Sequence, residues 1–161
     1  MTIGFILNGE DVIINTEAEH RLIDVLRDSF KLFGAKANCN SGACGLCSVI
    51  YNWDVMKSCL IPAFKIRGSE IITIEGFELT DEYRDIIRGF SEAGVVNCGY
   101  CNTSKILTVE ALLLKNPRPR PADILMAFQG VKCRCTEPES IINGVLEIVD
   151  MRQRRLYGNR A

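Results

Sequence analysis

Residues 39–47 read Cys-Asn-Ser-Gly-Ala-Cys-Gly-Leu-Cys, with thiols at positions 39, 44 and 47, glycines at 42 and 45, and little side-chain bulk between them. Such a stretch cannot fill a core, so its cysteines need a purpose other than packing. Cross-linking is a poor one. At 161 residues and 47% hydrophobic content the chain buries a core unaided. Its eight cysteines are too sparse for a disulfide-stapled scaffold. Metal binding is the leading reading.

Outward from this loop the pattern is that of two different halves. Ile3, Phe5 and Leu7 alternate with small or polar residues, Asn8-Gly9 is a two-residue turn, and Val12 to Ile14 resumes the apolar run, which predicts a β-hairpin. Leu22, Ile23, Val25, Leu26 and Phe30 share one helical face, and that helix is expected to end near Gly34. After the loop, Ser48 to Tyr51, a stretch from Val55 across a turn at Asn52 to Asp54, and Ile71 to Ile74 read as short strands.

EGFELTDEY, residues 75–83, has no core pattern and places a boundary near residue 77. Beyond it the period becomes helical. Tyr83, Ile86, Ile87 and Phe90 mark a helix stopping at Gly94. A second, from about Thr103, carries Ile106, Leu107 and Leu112 to Leu114 up to Asn116-Pro117. A third runs from Pro121 to Gly130. The last has a capping-box signature in Thr136-Glu137-Pro138-Glu139, followed by Ile141, Ile142, Val145, Leu146 and Val149. The expected fold class is α+β, with a sheet-based domain over 1–77 and a helical domain over 78–161.

A net charge of −1 gives no electrostatic case for nucleic acid. The N-terminal MTIGFILNGE lacks the basic start and long apolar run of a signal segment, and no stretch approaches the length of a membrane span, so a cytoplasmic protein is expected. The tail, MRQRRLYGNRA, has four arginines and reads either as a solvated helix end, where cations are favoured, or as a docking element for a partner subunit. His20 reads as a surface residue and Trp53 as part of a turn.

Cys39, Cys44 and Cys47 have the C-x4-C-x2-C spacing of plant-type [2Fe-2S] sites, and Cys59 follows after eleven residues. Gly42, Ala43 and Gly45 would let backbone N–H groups approach the inorganic sulfides. The helical half repeats a pattern of helix, glycine, cysteine pair and helix: Gly94 precedes Cys98 and Cys101, and Gly130 precedes Cys133 and Cys135. Each pair is expected at a helix entrance, where free N–H groups and the positive dipole end favour thiolates. Two structural zinc ions are an alternative, opposed by the four-residue gap and by the Cys133-x-Cys135 pair. A thioredoxin-like pair lacks its βαβ surroundings, and Cys59 could be an ordinary buried cysteine.

The full order, C-x4-C-x2-C-x11-C, then C-G-aromatic-C, then C-R-C after 31 residues, resembles the small iron–sulfur subunit of the molybdenum hydroxylases, the xanthine dehydrogenase family. The resemblance spans essentially the whole chain. It implies a plant-ferredoxin-like β-grasp domain followed by a four-helix domain, each with one [2Fe-2S] cluster, on Cys39, Cys44, Cys47 and Cys59 and on Cys98, Cys101, Cys133 and Cys135. It also implies a large molybdopterin-binding subunit and an FAD-binding subunit as partners in a hetero-oligomer. This chain would then carry electrons between them, with a purine or another N-heterocycle as substrate and no catalytic residue of its own. Asn97 and Cys135 would lie at the pterin edge. Asn97 stands where the family usually has Gln, Asn102-Thr103-Ser104 where it has Thr-Pro-Gly, Ala43 where it has Glu, and Glu137-Pro138 where it has Gly-Tyr. A free-standing two-cluster ferredoxin or redox sensor and a zinc-stabilised interaction module are the competing functions.

Overall fold

A computed structural model describes residues 1–158. β1 (Thr2–Leu7) and β2 (Glu10–Asn15) form the hairpin, with Leu7 opposite Glu10 across the Asn8-Gly9 turn. Alternation puts Ile3, Phe5 and Leu7 into the core. β3 (Ser48–Tyr51), β4 (Asp54–Lys57) and β5 (Glu70–Ile72) complete a sheet of order β2-β1-β5-β3-β4. β1 and β5 run parallel, and the other pairs are antiparallel.

Leu22, Val25, Leu26, Val49, Ile66 and Ile71 share the core under this sheet. The helix that supplies the first three differs from expectation. A short α-turn, α1 (Leu22–Asp24), widens into a π turn over Val25–Ser29 and stops before Gly34. Lys31, at φ +57°, turns the chain away. Gly34 serves another purpose: its N–H donates to Glu75 Oε1 at 2.7 Å, and a Cβ there would lie 2.2 Å from Ile74 Cγ2. The last strand is also shorter than expected. Ile74–Phe77 form a helical turn, α2, whose Phe77 is buried and meets Tyr83 edge-on at 6.2 Å. Residues 75–83 therefore do contribute to a core.

The remaining helices are α3 (Asp81–Glu92), α4 (Asn102–Lys115), α5 (Pro121–Phe128) and α6 (Pro138–Tyr157). Thr80 caps α3, its hydroxyl accepting the Tyr83 N–H at 3.2 Å. Phe90, Ile106, Leu107, Ile124, Val145 and Ile148 form their common core, which Ile50 of β3 joins from the sheet. The capping box expected for α6 is not made. Glu137 is its N-cap and makes no side-chain cap bond, because the Thr136 hydroxyl is engaged with Val96, 40 residues away.

In its described part the arginine-rich tail is held through two of its arginines, while Arg154, Leu156 and Tyr157 are exposed. Arg152 meets Glu110 at 2.5 Å, and Arg155 meets Glu82 at 2.8 Å and Asp85 at 3.0 Å, which ties α6 to α3 and α4. Arg160 lies outside the described residues. Among the described residues no helix is long and apolar enough to cross a membrane. His20 and Trp53 are both exposed, Trp53 at φ +70° in the β3–β4 turn.

Candidate metal centres

The loop between α1 and β3 is folded around Cys39. Its sulfur accepts the N–H groups of Ser41 at 3.5 Å and Cys44 at 3.4 Å. Those donors, Ser41 first, hold the Cys39 thiol down to about 6. Asn40, at φ +51°, makes the bend, and its carbonyl accepts from the Arg21 guanidinium at 2.8 Å.

Cys47 and Cys59 are buried together with Ile23. Ser58 brings them into contact, donating to the Cys47 carbonyl from its backbone N–H at 3.1 Å and its hydroxyl at 2.8 Å. Burial, then the neighbouring Cys47 thiol, pushes Cys59 up to about 11. The first quartet thus consists of two pairs, Cys39 with Cys44 and Cys47 with Cys59.

Gly42 and Gly45 are needed for reasons beyond approach to a sulfide. Both have φ +76°. A Cβ on Gly42 would meet Leu60 Cδ1 at 2.6 Å, whereas one on Gly45 would meet the backbone oxygen of Gly130 at 2.1 Å. Gly45 is therefore where the helical half presses on the cysteine loop.

The second quartet also comes in pairs. Cys101 is the N-cap of α4 and is buried, and Cys133 is half-buried beside it. Cys98 and Cys135 are exposed and interact with each other. The Tyr100 N–H holds Cys98 below the ordinary thiol value, and Cys98 in turn raises Cys135. Burial, then the Cys133 thiol, pushes Cys101 up to about 11. At Cys133 burial acts upward, but N–H groups of Cys135 and Thr136 outweigh it and leave the thiol lowered.

Thr136 holds the two cysteine segments together, accepting the Val96 N–H at 3.1 Å and donating to the Val96 carbonyl at 3.4 Å. Only Cys101 stands at a helix start. Cys133 and Cys135 precede the cap of α6, so the expected placement of both pairs at helix entrances holds for one. A cavity of about 460 Å³ is lined by Cys44, Cys98, Cys101, Cys133 and Cys135, with Tyr100 at its edge. Asn97 is exposed next to Cys98.

The two quartets are neighbours, with Cys44 lining the cavity of the second. Lys132 N–H donates to the Cys44 carbonyl at 3.4 Å, linking the residue before Cys133 to the first loop. Ser104 of α4 and Ser48 of β3 both donate to the Gly45 carbonyl, at 2.5 and 2.6 Å. Lys36 reaches from the first half to the carbonyls of Gly99 and Tyr100. Sequence reasoning gave Ser104 and Thr136 no part in joining the cysteine segments and did not single out Lys36 or Lys105. Polar residues on the otherwise apolar α4 were the available signal, since Ser104, Lys105 and Thr108 are all buried.

The donor set fits a two-iron group. The thiols stand two and two, as four thiolates shared between two irons require.

Residues 73–146 match a family described as a [2Fe-2S] binding domain. The chain is 44% identical over 136 residues to the nicotinate dehydrogenase small FeS subunit of Eubacterium barkeri, covering 84% of this chain and 87% of that one. It is 34% identical to a probable xanthine dehydrogenase subunit of Bacillus subtilis, over 96% of this chain and 86% of that one. A chain in the crystal structure of quinoline 2-oxidoreductase from Pseudomonas putida 86 superposes with a TM-score of 0.85, at 29% identity, over 96% of both.

Proposed function

Because this chain belongs to the small [2Fe-2S] iron–sulfur subunits of the molybdenum hydroxylase, or xanthine dehydrogenase, family, we propose that its eight cysteines hold two clusters and that the protein links a molybdopterin-binding subunit to an FAD-binding one. Cys39, Cys44, Cys47 and Cys59 hold the first group, and Cys98, Cys101, Cys133 and Cys135 the second. When bound, each [2Fe-2S] group supplies a one-electron carrier between the oxidation of substrate at molybdenum and the flavin.

The exposure of the thiols supports a direction for this path. Cys98 and Cys135 are the exposed pair, and with Asn97 they form the edge offered to the molybdopterin subunit. Cys101 and Cys133 form the inner pair, and Lys132 joins them through its N–H to Cys44. Asn40 and Ser41, exposed beside Cys39, form the opposite edge, toward the flavin subunit. The observation that carries the reading is this arrangement: an exposed pair, an inner pair, a backbone hydrogen bond and the first quartet.

The chain divides near residue 77 into a β-grasp domain over 1–77 and a four-helix domain over 78–161. Nicotinate, xanthine and quinoline in the names of the similar proteins support an N-heterocycle as the substrate of the complex. Eight free cysteines suit a reducing compartment, the cytoplasm. The test is anaerobic purification from the native source. About four irons and four labile sulfides per chain are expected, with two paramagnetic species on reduction and with molybdopterin and flavin subunits copurifying. Zinc without sulfide, or an iron–sulfur chain that purifies alone, would reject the proposal.

A further inference from the structure

Lys105, in the first turns of α4, is fully buried. Its ammonium donates to the Val96 carbonyl at 2.6 Å and lies 6.0 Å from the centre of the Phe90 ring. No ion pair among the described residues includes it. A carbonyl and a ring face are weak compensation for a buried cation, which ordinarily needs a charged partner. The anionic groups it is placed to act on are the thiols of the second quartet. Val96 precedes Cys98 by two residues, and the Lys105 N–H donates to the carbonyl of Cys101 at 3.0 Å. The lysine's charge also acts on the thiols of Cys98, Cys101 and Cys135, favouring their thiolate forms.

We infer that Lys105 is the fixed countercharge of the second quartet and raises the reduction potential of the [2Fe-2S] group held there. The inference rests on the reading that Cys98, Cys101, Cys133 and Cys135 hold such a group. Four thiolates and two sulfides outweigh two ferric ions, so the group is an anion, and reduction adds one more negative charge. A cation buried beside it is attracted more strongly to the reduced form, and low polarity around the ammonium keeps that attraction from being screened. Thr136 supplies a second hydrogen bond to the Val96 carbonyl. The lysine is therefore not that carbonyl's sole support, and its charge is the property no neighbour duplicates.

Lys105→Met, Lys105→Gln and Lys105→Arg in the assembled complex separate charge from strut. Iron and sulfide content report whether the quartet is filled, and a redox titration followed by electron paramagnetic resonance reports each centre's potential. Both neutral variants should shift the redox equilibrium of the second-quartet centre about tenfold toward the oxidised form, a drop of about 59 mV for one electron. The first-quartet centre should stay in place, and Lys105→Arg should recover most of the shift. If Gln keeps the wild-type potential while Met lowers it, the side chain is a hydrogen-bonding strut and the inference falls. It falls equally if both neutral variants keep full iron content and unchanged potentials. Should both neutral variants lose iron from this quartet, retention by Arg alone supports the countercharge, and loss from all three overturns it. A wild-type complex without iron in this quartet would refute the underlying reading, an outcome visible before any potential is measured.

Discussion

Gly42 and Gly45 have the same backbone strain and different neighbours, which makes them a matched pair. An alanine at either adopts φ +76°, a cost of about 1 to 3 kcal/mol. At Gly42 the new methyl meets the tip of Leu60, an exposed side chain that can rotate away. At Gly45 it meets the Gly130 carbonyl, which cannot rotate away without moving the whole turn. Gly45→Ala is therefore expected to destabilise the protein by about 3 kcal/mol or more, and by at least about 1 kcal/mol more than Gly42→Ala. Urea midpoints of the two variants make the comparison, and equal losses would mean the two halves do not bear on each other at Gly45. Thr136 makes a related point. Its place before Glu137-Pro138-Glu139 resembles a helix cap, but its hydroxyl fixes Val96, a contact no local motif announces.

Among the elements, the seam of α6 with α3 and α4 carries the chain's buried charge. Glu110 and Arg152 are only 8% and 14% exposed, and Arg152 Nε has no hydrogen-bond partner among the described residues. Glu110→Ala leaves Arg152 without its nearest counterion and should cost about 3 kcal/mol. Replacing both by leucine should cost much less, because no charge is then stranded. Denaturation midpoints of the single and double variants test this. Glu82 gives the seam its pH dependence, since the Arg155 hydrogen bond holds its carboxyl below the ordinary 4.5. The folded state therefore binds this proton more weakly than the unfolded chain does. Its stabilisation is complete above the ordinary value and fades as pH falls through the lowered one. Glu82→Gln should thus weaken the protein at pH 7, with a penalty that shrinks as pH falls below the ordinary 4.5. Glu110 runs the other way, because burial raises it and the stability it lends fades as pH rises. Helices α3 to α6 and the hairpin were legible as periodic apolar faces. The π turn after Asp24, the short α2 and the arginine pairing were not, because tertiary neighbours rather than local period decide them.

At the scale of the whole molecule, spacing grouped the eight cysteines into two proposed quartets, while their pairing and the contact between the quartets had no sequence signature. That contact depends on single atoms: the Lys132 N–H on the Cys44 carbonyl, the Ser104 hydroxyl on the Gly45 carbonyl, and Gly130 against Gly45. Each is a backbone or small-residue contact that leaves no apolar stripe to read. The arrangement makes the quartets neighbours without making them share a cysteine. Cys39, Cys44, Cys47 and Cys59 come from the loop before β3 and the turn after β4; the other four come from the segments leading into α4 and α6. Substituting Cys44 by alanine removes a thiol but keeps the Cys44 carbonyl that Lys132 uses, so the second quartet keeps its support. Cys133→Ala likewise removes a thiol from the second quartet and leaves the Ser41 and Cys44 donors on Cys39 intact. Each variant should therefore lose about two of about four irons and one of the two paramagnetic species, with opposite species surviving. Iron analysis and electron paramagnetic resonance on the reduced complexes decide it. If either substitution erases both species while the protein stays folded, the quartets depend on each other for assembly, and the hydrogen bond from Lys132 to Cys44 then joins two halves of a single folding unit rather than two independent centres.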